Sequence, residues 1–398
     1  MIQIDDKKQC CGCSACESIC PQKAIKMLPD SEGFLYPQVN DEICIHCDVC
    51  DKICPILNPR TADKEPKGYI VRNNDEEIVK DSTSGGVFTA IAKYVLDKQG
   101  VVFGVGYDSS MKVVYKRAEY KSEITEMRGS KFVQSNITGI YENVKQTLDS
   151  EKLVLFTGTP CQVAGLIGFL RKKPDNLFCV DFICRGVASP LLWDNYLQTM
   201  QNKYKSVISF VKFKNKTYGY HATTMKVDFQ NGKTYKASGR IDPMMKAYVN
   251  ELASRPSCAA CSFKSERHIS DLTMFDCYKY SEITGKKDDN KGYSSLFVNS
   301  YIGETLIKAI ANDIEMMAVD YHELIKWNGI MVCNSAKPHS KRNEFYLYVT
   351  RMTIHEAINK VMPITKKDYL IEWSKAVINR IGLIQFLKKL KKEKIETT

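Results

Sequence analysis

Eight cysteines near the start of the chain fall into two runs with the same spacing. One is Cys10, Cys13, Cys16 and Cys20, followed by Pro21; the other is Cys44, Cys47, Cys50 and Cys54, followed by Pro55. Three thiols two residues apart, then a fourth three residues further on before a proline, form the pattern of bacterial two-cluster ferredoxins. There the first three thiolates of a run hold one 4Fe–4S cubane and the fourth ligates the other cluster. Crossing the fourth ligands assigns Cys10, Cys13, Cys16 and Cys54 to one cluster, and Cys20, Cys44, Cys47 and Cys50 to the other. The prolines turn the chain back because they cannot continue a hydrogen-bonded ladder. Small residues at Gly12, Ser14 and Ala15 let backbone amides approach the sulfides. Structural zinc, the competing use of clustered thiols, takes paired Cys-x2-Cys units and has no need of a repeated triple spacing plus proline. Cys11 falls off the pattern and reads as a spare thiol.

Four further cysteines admit two readings. Cys258 and Cys261 form a Cys-x2-Cys half-site, while Cys161 and Cys184 each end a predicted strand. Strand ends on one sheet edge are where α/β folds build sites, so these four could make a third four-thiolate site. Equally, Cys161 and Cys184 could be ordinary buried thiols. Spacing alone leaves both open.

The elements that must position these residues follow from periodicity. Residues 1–58 are expected to form the ferredoxin domain and the polar stretch Pro59 to Lys67 a linker. Short strands are expected at Tyr69–Val71, Val101–Tyr107, Leu153–Phe156 and Leu177–Ile183. Helices are expected over Val87–Asp97, Asn136–Leu148, Gln162–Arg171, Leu191–Gln201 and Asp242–Ala253. Three alternating segments between Val207 and Lys236 suggest an antiparallel sheet. The expected class is α+β: a bacterial-type 2×(4Fe–4S) ferredoxin domain followed by a mixed α/β body. Periodicity does not decide between α/β and α+β for that body.

Sixteen cysteines and no apolar leader in Met1–Gln9 suggest a reducing, cytoplasmic setting with metal or redox work rather than disulfides. Net charge is +11, but residues 1–58, with five lysines and nine acidic residues, carry −4, leaving the remainder strongly basic. That asymmetry suits docking of an acidic cluster module on a basic body, or an anionic cofactor, partner or membrane surface. Nucleic acid is not expected, since no recognition motif accompanies the charge. Residues 366–398 carry nine Lys/Arg against four Asp/Glu. Trp373, Val377, Ile381, Ile384, Leu387 and Leu390 recur there at helical spacing, broadened by Ile371, Ile378 and Phe386. This reads either as a terminal helix packed on the body or as a basic amphipathic anchor at the inner face of a membrane.

The chain also resembles the coenzyme F420 hydrogenase/dehydrogenase beta-subunit family over about residues 1–330. Five blocks carry the likeness: Ser82-Thr83-Ser84-Gly85-Gly86-Val87, residues 128–135 (Arg-Gly-Ser-Lys-Phe-Val-Gln-Ser), residues 156–163 around Thr157-Gly158-Thr159-Pro160-Cys161, residues 181–190 around Asp181 and Cys184-Arg185-Gly186, and residues 255–264 around Cys258 and Cys261. The resemblance implies that residues 68–350 form an FAD and iron–sulfur domain in two parts meeting near 150. It favours a third cluster on Cys161, Cys184, Cys258 and Cys261. Ser84, Gly85 and Gly86 at a helix N-terminus could present amides to phosphate, or be a plain cap. Arg128 and Lys131 could neutralise a pyrophosphate. Thr157, Gly158 and Thr159 form a close-approach turn, and Asp181 could bond a ring nitrogen or ribose, or cap the next segment. No Gly-x-Gly-x-x-Gly follows a strand, so a Rossmann-type FAD site is not indicated. The six histidines, His268 among them, share no catalytic spacing.

Two departures stand out. The family usually has Cys-His-Gly where this chain has Cys184-Arg185-Gly186, and Asp-Phe-Trp-Gly near Asp276-Cys277-Tyr278-Lys279. They point away from coenzyme F420 itself and toward another small-molecule substrate, as in relatives that accompany cell-surface polysaccharide enzymes. The expected function is a flavin-centred oxidoreductase fed or drained by single-electron clusters. Its redox partner would be a ferredoxin or another oxidoreductase subunit. The alternative is an electron relay within a larger complex, with no substrate of its own.

Overall fold

The computed structural model describes residues 1–380. It opens with two short helices, α1 (Ala15–Ile19) and α2 (Val49–Ile53), around a hairpin of β1 (Ile25–Pro29) and β2 (Leu35–Val39). Each helix starts from a residue in the left-handed region, Ser14 (φ 61°) and Asp48 (φ 56°). The tight turn that sets three thiols around a cavity is thus the helix start itself.

The body follows as β3 (Lys67–Asn73), α3 (Glu76–Asp81), α4 (Val87–Asp97), β4 (Val101–Tyr107), β5 (Val113–Ala118), α5 (Ile140–Asp149), β6 (Val154–Thr157), α6 (Pro160–Leu170), β7 (Leu177–Phe182), α7 (Pro190–Tyr204), β8 (Ile208–Asn215), β9 (Thr224–Phe229), β10 (Thr234–Ser238), α8 (Pro243–Val249), β11 (Leu272–Asp276), β12 (Ser294–Val298) and β13 (Ile314–Val319). Eight strands form one sheet in the order β13-β3-β12-β11-β7-β6-β4-β5. Its middle, β4-β6-β7-β11, is parallel, and the pairings on either side are antiparallel. The body is therefore mixed α/β. Val101–Phe103 and Val154–Phe156 are fully buried, as strands covered on both faces must be.

A second sheet, β10-β9-β8, is antiparallel. It packs with α7, α8 and two later helices, Arg342–Val349 and Ile354–Val361, around Trp193, Phe213, Phe345 and Ile358. The body thus runs past residue 350 to Val361. The α5 start falls at Ile140 rather than Asn136, because Gly139 (φ 75°) forms a left-handed cap.

The N-terminal unit is clamped to this body. Buried Arg255 donates from Nε to the Cys10 carbonyl (2.9 Å), from Nη2 to that of Leu35 (3.0 Å) and from Nη1 to Gln134 Oε1 (3.2 Å). Its guanidinium also lies 4.0 Å from the centre of the Tyr36 ring. Arg342 Nη2 meets Glu32 Oε2 at 2.6 Å. Glycines on α6 allow close approach: a Cβ at Gly168 would lie 2.4 Å from the Ile53 carbonyl oxygen, and one at Gly165 would lie 3.0 Å from Cys13 Cβ.

Candidate iron–sulfur and cofactor site

Three cavities are lined by cysteines. Cys20, Cys44, Cys47 and Cys50 line one, with Pro21 and His46; Cys10, Cys13, Cys16 and Cys54 line a second, with Gly12 and Pro55. The sets are those obtained by exchanging the fourth ligands of the two runs. Burial raises the Cys10 and Cys16 thiols above the ordinary cysteine range. Thiolates there need the charge of iron beside them.

The third cavity gathers residues from several segments, among them Met331 and Val332 of the helix Ile330–Cys333. The β6–α6 turn supplies Cys161, where Thr159 and Gln162 form a capping box and Pro160 takes the first helical position. The chain after β7 supplies Cys184, and a 3-10 turn over Pro256–Ala260 with the residue that follows supplies Cys258 and Cys261. The N-terminal unit supplies Lys8, Cys11 and Ile56. Burial raises all four of the body's thiols, Cys258 to about 12; for Cys161 the larger cause is its contact with Cys11.

Cys11 is therefore not spare. It lines both this cavity and the neighbouring one, and its thiol is in hydrogen-bonding contact with Cys13 and Cys161. Arg185, which replaces the family's histidine, turns aside to Glu251 and the Val249 carbonyl. Asp181 does not cap the next segment: its Oδ2 lies 2.7 Å from His268 Nδ1, both side chains are buried, and His268 lines the thiol cavity.

The residues expected to meet phosphate are arranged differently from the sequence reading. The Gly85 amide donates to Ser294 Oγ (2.9 Å), and a Cβ there would lie 2.6 Å from the Val71 carbonyl oxygen. Gly85 is thus required by strand packing rather than by an open amide cradle. Ser84 Oγ donates to the Tyr293 carbonyl (2.6 Å), and Gly86 (φ 81°) is the left-handed cap of α4. Lys131 is buried, and its ammonium donates to the carbonyls of Glu126, Met127, Arg128 and Gly129, so it anchors its own loop. Arg128 bonds Thr89 and Asp81. Thr157 Oγ1 donates to the Phe103 carbonyl, the Gly158 amide donates to that of Val180, and Thr159 caps α6.

Sequence reasoning missed the cations that β8 and the turn after it bring to this region. Lys212 reaches the Asp81 carbonyl and Oδ1 (2.6 and 2.7 Å), Lys214 reaches Asp276 Oδ2 (2.5 Å), and Lys216 reaches the Val79 and Ser84 carbonyls (2.6 and 2.7 Å). Burial, and then the nearby Lys212 and Arg72, push Lys216 down to about 7; burial also pushes Lys131 to about 7. For both lysines burial is the larger cause, whereas the Asp276 carboxylate outweighs burial at Lys214 and raises it. The cluster lies between the three-stranded sheet and the C-terminal edge of the large one, where Phe182 and Tyr278 are exposed.

A dicluster ferredoxin unit clamped onto a mixed α/β body with a thiol-lined cavity defines an iron–sulfur protein of the oxidoreductase kind. Comparison with known proteins agrees. Residues 9–57 match the 4Fe-4S dicluster domain. Residues 69–141 match the N-terminal part, and residues 151–323 the C-terminal part, of the coenzyme F420 hydrogenase/dehydrogenase beta subunit. The chain belongs to that family.

Among its relatives are an uncharacterized protein of Methanocaldococcus jannaschii (22% identical, covering 77% of this chain and 88% of the relative) and a subunit of the F(420)H(2) dehydrogenase of Methanosarcina mazei (20%, 77% and 84%). The coenzyme F420 hydrogenase subunit beta of Methanosarcina barkeri is 24% identical, covering 61% of this chain and 77% of the relative. A chain of the F420-reducing [NiFe] hydrogenase complex of that organism superposes with a TM-score of 0.46 at 20% identity, over 68% of this chain and 89% of that one. Among the described residues no helix is long and apolar enough to cross a membrane.

Proposed function

We propose that this chain is an iron–sulfur flavoprotein oxidoreductase carrying three 4Fe–4S clusters and FAD. Electrons pass between a redox partner protein and a small organic substrate. The carrying observation is that Cys161, Cys184, Cys258 and Cys261 line one cavity whose wall, at Cys11, is shared with a ferredoxin-type cavity. On this reading Cys10, Cys13, Cys16 and Cys54 hold one cluster, Cys20, Cys44, Cys47 and Cys50 a second, and the body's four thiols a third.

The cation cluster of Arg128, Lys131, Lys212, Lys214 and Lys216 suits an anionic cofactor, because burial and mutual repulsion depress Lys131 and Lys216 within it. Lys216, which donates to the Ser84 carbonyl, and Lys212, which donates to Asp81, flank the Ser82–Gly86 turn and would hold the FAD phosphates. Bound FAD would supply the conversion between single electrons and electron pairs. Around it, Lys131 fixes the Arg128–Gly129 loop, and Asp276 holds Lys214 and Tyr220 in place. Partner entry suits the rim of the outermost cavity, where Cys47 is exposed beside Ile43 and Ile45 (47% and 58% exposed).

The test is anaerobic purification of the full chain with iron, sulfide and flavin analysis. About twelve irons are expected, falling to about eight in Cys258→Ser and Cys261→Ser with the ferredoxin signals retained. Unchanged iron in both variants would remove the third cluster. Absence of flavin, with Lys212→Gln and Lys216→Gln leaving substrate turnover unaltered, would remove the FAD site.

A further inference from the structure

We propose that Lys264 is the fixed positive charge that raises the reduction potential of the centre held by Cys161, Cys184, Cys258 and Cys261. The inference deepens the cluster reading above, rests on it, and names a residue outside the cysteine set. Lys264 follows Cys261 by three positions, lines the third cavity and is half-buried. Its ammonium is fixed at two points: Nζ donates to the Cys184 carbonyl (2.5 Å) and to the Met331 carbonyl (2.6 Å). The first acceptor belongs to a residue that supplies one of the four thiols. The second belongs to the helix Ile330–Cys333, whose Met331 and Val332 also line the cavity. The ammonium thus joins two parts of the cavity wall.

The three cysteine-lined cavities differ in charge. The third is lined by the cations Lys8, Arg185 and Lys264 and by no carboxylate. The cavity of Cys10, Cys13, Cys16 and Cys54 is lined by no charged side chain. That of Cys20, Cys44, Cys47 and Cys50 is lined by Asp48, paired with the amino terminus of Met1. Of the third cavity's cations, Lys8 is exposed to water and Arg185 is paired with Glu251. Lys264 donates to neutral carbonyls, and Glu266 turns to the Cys333 thiol (3.8 Å), so among the described residues no carboxylate pairs with Lys264.

A cubane on four thiolates is negatively charged, and one-electron reduction adds a further negative charge. An ammonium beside it, half-buried where water screens poorly, stabilises the reduced state more than the oxidised one and so raises the potential. The same charge acts on the ligands themselves: burial raises the Cys184 and Cys261 thiols, and Lys264 opposes it at both. Lys264 is on this account a positioning and tuning residue, not a ligand.

The experiment is an anaerobic redox titration at a single pH, followed by electron paramagnetic resonance, on the full chain and on Lys264→Gln and Lys264→Arg. The third cluster is identified as the signal missing in Cys258→Ser. Glutamine keeps an amide donor for the carbonyls and removes the charge, whereas arginine keeps both donor and charge. Reduction of the third cluster should become at least tenfold less favourable in Lys264→Gln, a fall of about 59 mV for one electron. Lys264→Arg should stay close to wild type, and the two ferredoxin signals should stay in place in both variants. An unmoved third potential in Lys264→Gln with iron retained overturns the proposal. An equal fall in both variants overturns it too, since that would trace the effect to the hydrogen bonds and not to the charge. If glutamine displaces the third cluster, Lys264→Arg decides: about twelve irons at the wild-type potential support the charge, and loss of the cluster there as well overturns it. A wild-type chain with only about eight irons would remove the cluster reading itself, and the iron count tells that failure from the other.

Discussion

Replacing Gly168 by alanine sets helix propensity against packing, and the structure decides the sign. Inside a helix such as α6 alanine is worth about 1 kcal/mol over glycine, so local reasoning expects a stabilised protein. The added Cβ, however, would lie 2.4 Å from the carbonyl oxygen of Ile53 and 3.5 Å from its carbon. Carbon–oxygen contacts settle near about 3.3–3.6 Å, so α2 must retreat by roughly 1 Å. The next residue is Cys54, which lines the cavity with Cys10, Cys13 and Cys16. Overpacking costs about 1–3 kcal/mol. The expected result is net destabilisation of the docked ferredoxin unit by about 1–2 kcal/mol, with faster loss of one cluster. Gly239→Ala is the control, because its Cβ would make only ordinary contacts of 3.6 Å and beyond. Iron loss makes unfolding irreversible, so the assay is the rate at which visible absorption bleaches in fixed urea under anaerobic conditions. A Gly168→Ala chain that bleaches no faster than wild type, with full iron, would refute the close packing of α6 on Ile53.

Arg255→Leu removes three hydrogen bonds from a buried guanidinium and should cost about 3–5 kcal/mol, read as accelerated proteolysis between residues 59 and 66. Unchanged proteolysis would mean that the clamp is redundant. Asp242 accepts from the Met245 amide and Tyr196, and burial raises its carboxyl to about 6 from 3.8. The folded chain therefore binds that proton more tightly than the unfolded one, and stability falls as pH rises from about 4 to about 6, by about 3 kcal/mol. Asp242→Asn keeps the cap acceptor and should flatten that part of the curve; parallel denaturation curves for both chains across this range would count against the assignment. The helix Lys366–Arg380 is held by Glu372, buried against Ser238, and presents Leu370 and Trp373, each 64% exposed. We propose that this face contacts anionic membrane surfaces. Sedimentation with anionic vesicles at low salt should fall at least threefold in Trp373→Asp, and equal sedimentation would dismiss the anchor.

The legible parts of this molecule were those whose chemistry is local. The ferredoxin cysteines of each run are separated by no more than ten positions, Cys10 to Cys20 and Cys44 to Cys54, and turn geometry carries most of each run to a common cavity. The strand–turn–helix around residue 160 was legible too, although the helix expected from Gln162 begins at Pro160, because Thr159 caps it. His268 was not, because its partner Asp181 comes from β7, 87 positions away. Gly85 was misread through the same blindness: a glycine pair before a helix looks like an amide cradle until Ser294 arrives from β12 to take the hydrogen bond. No local pattern marks Lys212 and Lys216, and their partners Asp81, Val79 and Ser84 lie more than 130 positions away. The amphipathic pattern from Ile381 to Leu390 lies outside the described residues. Within the part described, Trp373 and Val377 face outward, while Ile371 and Ile378 are half-buried.

Because Lys8, Cys11 and Ile56 close one side of the third cavity, that cavity has its full wall only after the N-terminal unit has docked. Arg255, which holds the docked unit at Cys10, lies just before Cys258 and opens the turn that carries it. Docking and the shaping of the last thiol loop are therefore one event. This imposes an order on maturation: a nascent chain with an undocked N-terminus exposes the body's four thiols to solvent and oxidants. Cavity and clamp thus stand or fall together: what loosens the N-terminal unit opens the wall formed by Lys8, Cys11 and Ile56.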